Sequence, residues 1–168
     1  MAAKDHILFD TAPFGTSAGT THSLFQVTEG GDGTHTKDFT NSPGAGSLPN
    51  KQKMTVNSIE VWPEADILEE ENQKVWNKSY LRVEVDGDEK LRAPLLMFAA
   101  EHAQVGEFHE ATNSKINSLS WTKKPMLFKN PIIIPGGTPF KIEVYQSVAT
   151  AGTEQVKVAL VGLIETAE

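Results

Sequence analysis

Gly15-Thr16-Ser17-Ala18-Gly19 has the Gly-x-Ser-x-Gly spacing that, on a sharp strand-to-helix turn, presents a serine hydroxyl as a nucleophile. That chemistry needs a buried strand before the serine and a helix after it. Here Thr20-Thr21-His22 follows, inside a segment rich in Gly, Thr and Ser, so the match reads as a small-residue loop. Glu101-His102 and His109-Glu110 would supply two imidazoles and two carboxylates to a metal, but no closely spaced His-x-His precedes a Glu, and Gly106 lies in the loop between them. Asp86-Gly87-Asp88-Glu89 and Glu29-Gly30-Gly31-Asp32 are acidic turns without the alternating carboxylates of a calcium loop. There is no Gly-x-x-x-x-Gly-Lys phosphate loop and no dinucleotide fingerprint after a strand. With no cysteine in the chain, a thiol nucleophile and a thiolate metal site are excluded as well. The expectation is a protein that is not an enzyme, with no catalytic, cofactor-binding or metal-binding residue.

Two further sets of residues are suited to contact instead of catalysis. Flat aromatic rings stack on the apolar face of a sugar, and Trp62, Trp76, Trp121, Tyr80 and Tyr145 are the candidates for such a platform. Trp62 closes an apolar strand and belongs with the core. Trp76 and Trp121 stand among polar residues and are the ligand-facing candidates. The second set is Ile7, Leu8, Phe9, Phe14 and Phe25, apolar points in an otherwise polar stretch, which dock either on a neighbouring subunit or on this chain's own core.

The elements that must position these residues are strands. Phe140, Ile142 and Val144 alternate with Lys141, Glu143 and Tyr145, the period of a sheet with one face on a core and the other in water. Leu81, Val83 and Val85 alternate with Arg82, Glu84 and Asp86 in the same way, and Asp86-Gly87-Asp88 turns the chain. Val156, Val158, Leu160, Gly162 and Ile164 form one face of the last strand, while Ala159, Val161 and Leu163 make the other face apolar too. That strand is predicted to be central, or to have its outer face covered by a neighbour. Between Met54 and Trp62 the apolar parity shifts from Val56 to Ile59, which predicts a β-bulge. Ile132 to Ile134, Leu95 to Ala99, Ser118 to Thr122 and Met126 to Lys129 are further strand candidates, and Glu64 to Lys78 is polar, a helical turn or a surface loop. Residues 1–50 differ in composition, with short strands at Ile7-Leu8-Phe9 and Leu24 to Val27. They are expected to form an extended N-terminal arm ahead of a β-sandwich over residues 51–168.

At 168 residues with a net charge of −7, the chain has length for one sizeable core. Its 15 Lys and Arg residues are scattered, which argues against strong direct nucleic-acid binding. The opening residues lack the long apolar stretch of a secretory signal, and the longest apolar run, Pro94 to Ala100, is too short to cross a bilayer.

The run Asn130-Pro131-Ile132-Ile133-Ile134-Pro135-Gly136-Gly137-Thr138-Pro139-Phe140 to Val144, then a Thr/Gly loop and Val156 to Gly162, resembles the closing strands of single jelly-roll capsid proteins. These belong to tailless icosahedral bacteriophages and viruses, including those with an internal membrane. The likeness is a rhythm of strands and turns over about residues 50–168. It implies an all-β single jelly roll, two antiparallel Greek-key sheets, acting as a capsid subunit, whether major, vertex or cementing. The implied partners are other copies of the chain and other capsid proteins, with proximity to an internal viral membrane. The implied place is the virion, assembled in the host cytoplasm. Capsid arms often carry an Arg/Lys cluster that binds genome, and residues 1–50 have none. The alternatives are a carbohydrate- or receptor-binding jelly roll of spike or lectin type, and a cupin-like metalloenzyme.

Overall fold

The alternating segments form two antiparallel four-stranded sheets in a computed structural model that describes residues 2–63, 69–99 and 126–167. In chain order the elements are β1 (Ala2–Phe14), β2 (Thr20–Leu24), β3 (Gln52–Pro63), α1 (Glu69–Asn77), β4 (Ser79–Val85), β5 (Asp88–Pro94), a 3-10 turn (Leu95–Phe98), β6 (Ile132–Pro135), β7 (Phe140–Gln146) and β8 (Glu154–Thr166). The first sheet has the order β1-β8-β3-β6 and the second β2-β7-β4-β5. Pairing is nested: β1 binds β8, β2 binds β7, β3 binds β6 and β4 binds β5. The β3:β8 and β4:β7 ladders then close the two sheets. Among the described residues, only the β4–β5 hairpin joins neighbours in one sheet; every other connection between consecutive strands crosses from one sheet to the other.

The core lies between the sheets. Leu8, Phe14, Met54, Ile59, Ile134, Val158 and Leu160 come from the first sheet, and Leu81, Val83, Phe140, Ile142 and Val144 from the second, all essentially inaccessible to solvent. Phe25 and Leu48, from the long β2–β3 connection, and Leu95 and Phe98, from the 3-10 turn, fill its margins. The burial pattern of β7 and of β4 alternates residue by residue, as the period of two requires. β8 is central in the first sheet, and its outward Ala159 is buried as well.

Three local devices shape the sheets. The register of β3 against β8 shifts between Val56 and Ser58, the bulge that the parity change predicts. Gly162 sits opposite Val56, and a Cβ there would run into the Thr55 carbonyl and stand 3.0 Å from Val56 Cα. In the β4–β5 hairpin Asp86 and Gly87 both take positive φ, 54° and 78°, the backbone of a type I′ turn whose twist matches the strands.

The arm expected over residues 1–50 is not found as such. β1 is hydrogen-bonded to β8 along thirteen residue pairs and β2 to β7 along five, so both sheets draw strands from this segment and the fold does not divide near residue 50. The physical reason is that a strand paired along its whole length needs few large apolar residues; β1 turns only Leu8, Ala12 and Phe14 into the core as apolar side chains. Leu95–Phe98 is a 3-10 turn and not a strand, because Leu95 and Phe98, three apart, both reach the core. Met126 to Lys129 is irregular, with the Phe128 N–H donating to the Asn57 carbonyl at the bulge. Ser118 to Thr122 lies outside the described residues. Glu64 to Lys78 includes the nine-residue α1.

Gly162→Ala is expected to destabilise the fold by about 1–3 kcal/mol, since the new methyl can be housed only by moving the β3 backbone. A lower urea midpoint with an unchanged slope would agree; an unchanged midpoint would show that the bulge yields freely.

Candidate interaction surface

The register places every outward side chain of the first sheet in rows across β1, β8 and β3. Thr11, Lys157 and Trp62 form one row, Phe9, Ala159 and Glu60 the next, then Ile7, Val161 and Ser58, then Asp5, Leu163 and Thr55 with Ile133 of β6 beside it. Apolar side chains thus run diagonally across the face. Ile7 is 51 % exposed, Ile133 44 % and Leu163 37 %. At one end of this face a groove of about 620 Å³ is lined by Ile7, Phe9, Phe39, Trp62, Pro63 and Lys157, among others. The Lys157 ammonium lies 4.9 Å from the Phe9 ring centroid, a cation–π contact at the groove wall. The surface can hold an apolar or aromatic group by burial.

The edges of the same sheet are β1 and β6, and β1 is covered locally. Asn41 Oδ1 accepts from the Phe9 N–H (2.7 Å), Asn41 Nδ2 donates to the Ile7 carbonyl (2.8 Å), and the Asn41 N–H donates to the Phe9 carbonyl (3.1 Å). Thr11 Oγ1 donates to the Phe39 carbonyl (2.7 Å) and Thr40 Oγ1 to that of Phe9 (3.2 Å).

The outer face of the second sheet is of another kind. Arg82 on β4 is surrounded by Glu84, Glu89 (3.1 Å) and Glu143 (3.4 Å); Lys141 pairs with Glu143 (2.9 Å) and Arg92 with Glu89 (2.6 Å). Tyr80 and Tyr145 stack across the β4:β7 ladder at 4.9 Å, and the Arg92 guanidinium covers Tyr80 at 5.7 Å. The charges are matched on the sheet, and Tyr80, with Arg92 and Pro94, also lines a shallow pocket of about 520 Å³.

Buried polar side chains hold the connections that frame these faces. Asp10, pointing inward from β1 and 2 % exposed, accepts from the Phe25 and Thr11 N–H groups and so holds Phe25 at φ 61°. Burial pushes its carboxyl above the usual value, against the downward pull of those N–H groups. Gln146, at the inward end of β7, accepts from the Gly15 N–H (3.1 Å) and donates to the Gly15 (2.6 Å) and Val148 (3.0 Å) carbonyls. It also meets His22 Nε2 at 3.0 Å, while the His22 ring stacks on Phe14 at 5.1 Å. Glu71 joins α1 to the β7–β8 loop through the Ala151 N–H (2.9 Å) and Lys74 (2.7 Å). Burial would raise the Glu71 carboxyl, but these two donors outweigh it and the net direction is down. Asp10, Gln146 and Asn41 were not singled out from sequence. For the first two a signal exists: each is a polar residue at an inward position of an alternating strand, where it must find partners.

The residues expected to contact neighbours separate into two groups. Leu8, Phe14 and Phe25 are buried in this chain's own core and do not contribute to a surface; Ile7 and Phe9 point outward and meet at the groove. Trp76 is also buried, 5 % exposed, and is corrected from ligand-facing to core. The reason is that α1 turns its Val75-Trp76 side toward the sandwich. Trp62, assigned to the core, is half-buried at the groove instead. Trp121, Glu101-His102 and His109-Glu110 lie outside the described residues. Ser17 is exposed in the turn between two strands, so no helix follows it. Among the described residues no group of three or more His, Asp or Glu side chains could hold a metal ion, and no helix is long and apolar enough to cross a membrane.

In comparisons with known proteins, no family model matches the chain and no curated protein matches it.

The raised Asp10 carboxyl fixes the sign of a pH effect. The folded state favours the neutral acid, so this group's contribution is full below the ordinary carboxyl value of 3.8 and is lost as the pH rises through the higher folded value. Asp10→Asn, which cannot ionise, is therefore expected to gain on the wild type in urea midpoint between pH 3 and pH 7. A difference between the two proteins that is constant with pH would refute the assignment.

Proposed function

We propose that this chain is a structural subunit of a viral capsid, a single jelly roll that packs against copies of itself and other capsid proteins to build an icosahedral shell. The strand orders β1-β8-β3-β6 and β2-β7-β4-β5, with their nested pairs, support reading the two antiparallel sheets as an eight-stranded jelly roll, a double Greek key used by viral capsid domains. This supports the fold but does not by itself select a function.

The observation that carries the functional reading is the outward apolar run of Ile7, Val161, Leu163 and Ile133 on the first sheet. Burying an exposed aliphatic side chain against a neighbour is worth about 1.5–3 kcal/mol, and a repeated subunit gains this at every copy. The second sheet carries self-matched charges, which suits a face turned toward solvent. Assembly of this kind requires interfaces and no titratable cluster. The scattered basic residues give no focused attraction for a genome, so the proposed partners are proteins. The proposed place is the virion, reached by assembly in the host cytoplasm.

Absolute mass by light scattering after size exclusion, over a range of concentration and salt, tests the reading. Discrete oligomers or large particles are expected, and the double variant Leu163→Lys with Ile133→Lys is expected to reduce them to smaller species while leaving the fold intact. A wild-type chain that stays monomeric at every condition overturns self-assembly through this face.

A further inference from the structure

An antiparallel edge strand offers the N–H and C=O of alternate residues to whatever lies beside it. On β1 those residues include Ile7 and Phe9, because Phe9 directs both its N–H and its carbonyl away from β8 and toward Asn41, while the Thr11 N–H on the same edge is taken by Asp10 Oδ1. A side-chain amide has the donor and acceptor of a peptide unit, and Asn41 uses both: it accepts from Phe9 and donates to the Ile7 carbonyl. The segment Phe39 to Asn41 thus stands where the next strand would stand, with a few bonds and not a ladder.

We propose that the free edge of β1 is a strand-pairing site for β1 of a second copy, and that Phe39 to Asn41 is a strap that keeps it closed in the single chain. The choice of occupant rests on the self-assembly reading above, and the edge supplies a reason of its own. A strand laid antiparallel to its own copy is self-complementary about a two-fold axis. Centred on Ile7, the pairing sets Ile7 against Ile7, Asp5 against Phe9 and Ala3 against Thr11, with no like charges directly opposite. Ile7 is half-exposed at that centre, a β-branched residue suited to a cross-strand contact. Displacing the strap exchanges the bonds of Asn41, Thr40 and Thr11 for a ladder of comparable number, so the exchange is open to control by small changes in the strap.

Two substitutions test the edge, and Ile7→Ala, which trims the same outer-face side chain but keeps the backbone N–H, is the control for Ile7→Pro. Asn41→Ala removes the peptide mimic and leaves the β1:β8 ladder untouched; it is expected to raise the self-association constant about tenfold, the loss of one or two competing hydrogen bonds. Ile7→Pro deletes an outward N–H and no bond to β8, and is expected to abolish that gain when combined with Asn41→Ala. Mass by light scattering and hydrogen exchange at the Phe9 amide are the readouts. Fast exchange in dilute Asn41→Ala that turns slow on association supports the pairing. Fast exchange with unchanged mass overturns it. Should Asn41→Ala fail to fold, Ile7→Pro compared with Ile7→Ala in the wild-type background decides: particles that form equally well in both overturn the edge and leave the shell reading standing, and particles lost only with proline support it. A wild-type monomer whose Asn41→Ala form dimerises, sensitive to Ile7→Pro, supports the edge while counting against the shell.

Discussion

Everything in the first sheet depends on β8. It pairs with β1 along its whole length on one side and with β3 along nearly as much on the other, and its inward Val156, Val158, Leu160 and Ile164 are buried. A strand so placed has no solvent-facing edge, because it has a paired neighbour on each flank. The bulge in β3 and the missing side chain at Gly162 meet at the same row, letting two backbones approach more closely than any Cβ permits.

Much of this was legible in the residues. Period-two burial in β4, β7 and β8, the bulge before Ile59 and the Asp-Gly turn all follow from local chemistry, since in each case a side chain's direction is set by the backbone next to it. The first fifty residues were legible only in part: strands were expected at Ile7 to Phe9 and at Leu24 to Val27, and β1 and the end of β2 lie there, but their length and their place in the two sheets come from long-range pairing that composition does not describe. β1 carries Asp10 on its inward face, and its pattern is broken for any reading that counts only apolar positions. Trp76 was misplaced for a related reason: polar neighbours in sequence surround it, but the helix turns it away from them. Asn41 could not be found from sequence at all, because its role is defined by an edge 32 residues earlier in the chain.

The two outer faces differ in how they treat solvent. On the second sheet, arginine, lysine and glutamate side chains satisfy one another, and the stacked tyrosines complete a rigid cover. On the first, Ile7, Leu163 and Ile133 leave apolar surface in water, bordered by a groove with three aromatic side chains and a proline. One molecule thus has a side that water suits and a side that it does not, an asymmetry that orients any packing of copies before specific contacts are made.

The nested pairing also governs how the chain must acquire its structure. β1 and β8 are far apart in sequence, and each inner pair, β2:β7 and then β3:β6, closes a shorter loop, down to the β4–β5 hairpin. The local hairpin costs little entropy to close, whereas the outermost ladder waits until every strand between β1 and β8 has been made. On a ribosome, β1 emerges early and remains unpaired until β8 has been made. During that interval its edge is open to any neighbouring nascent copy, and the order of synthesis itself becomes a determinant of which strands find each other first.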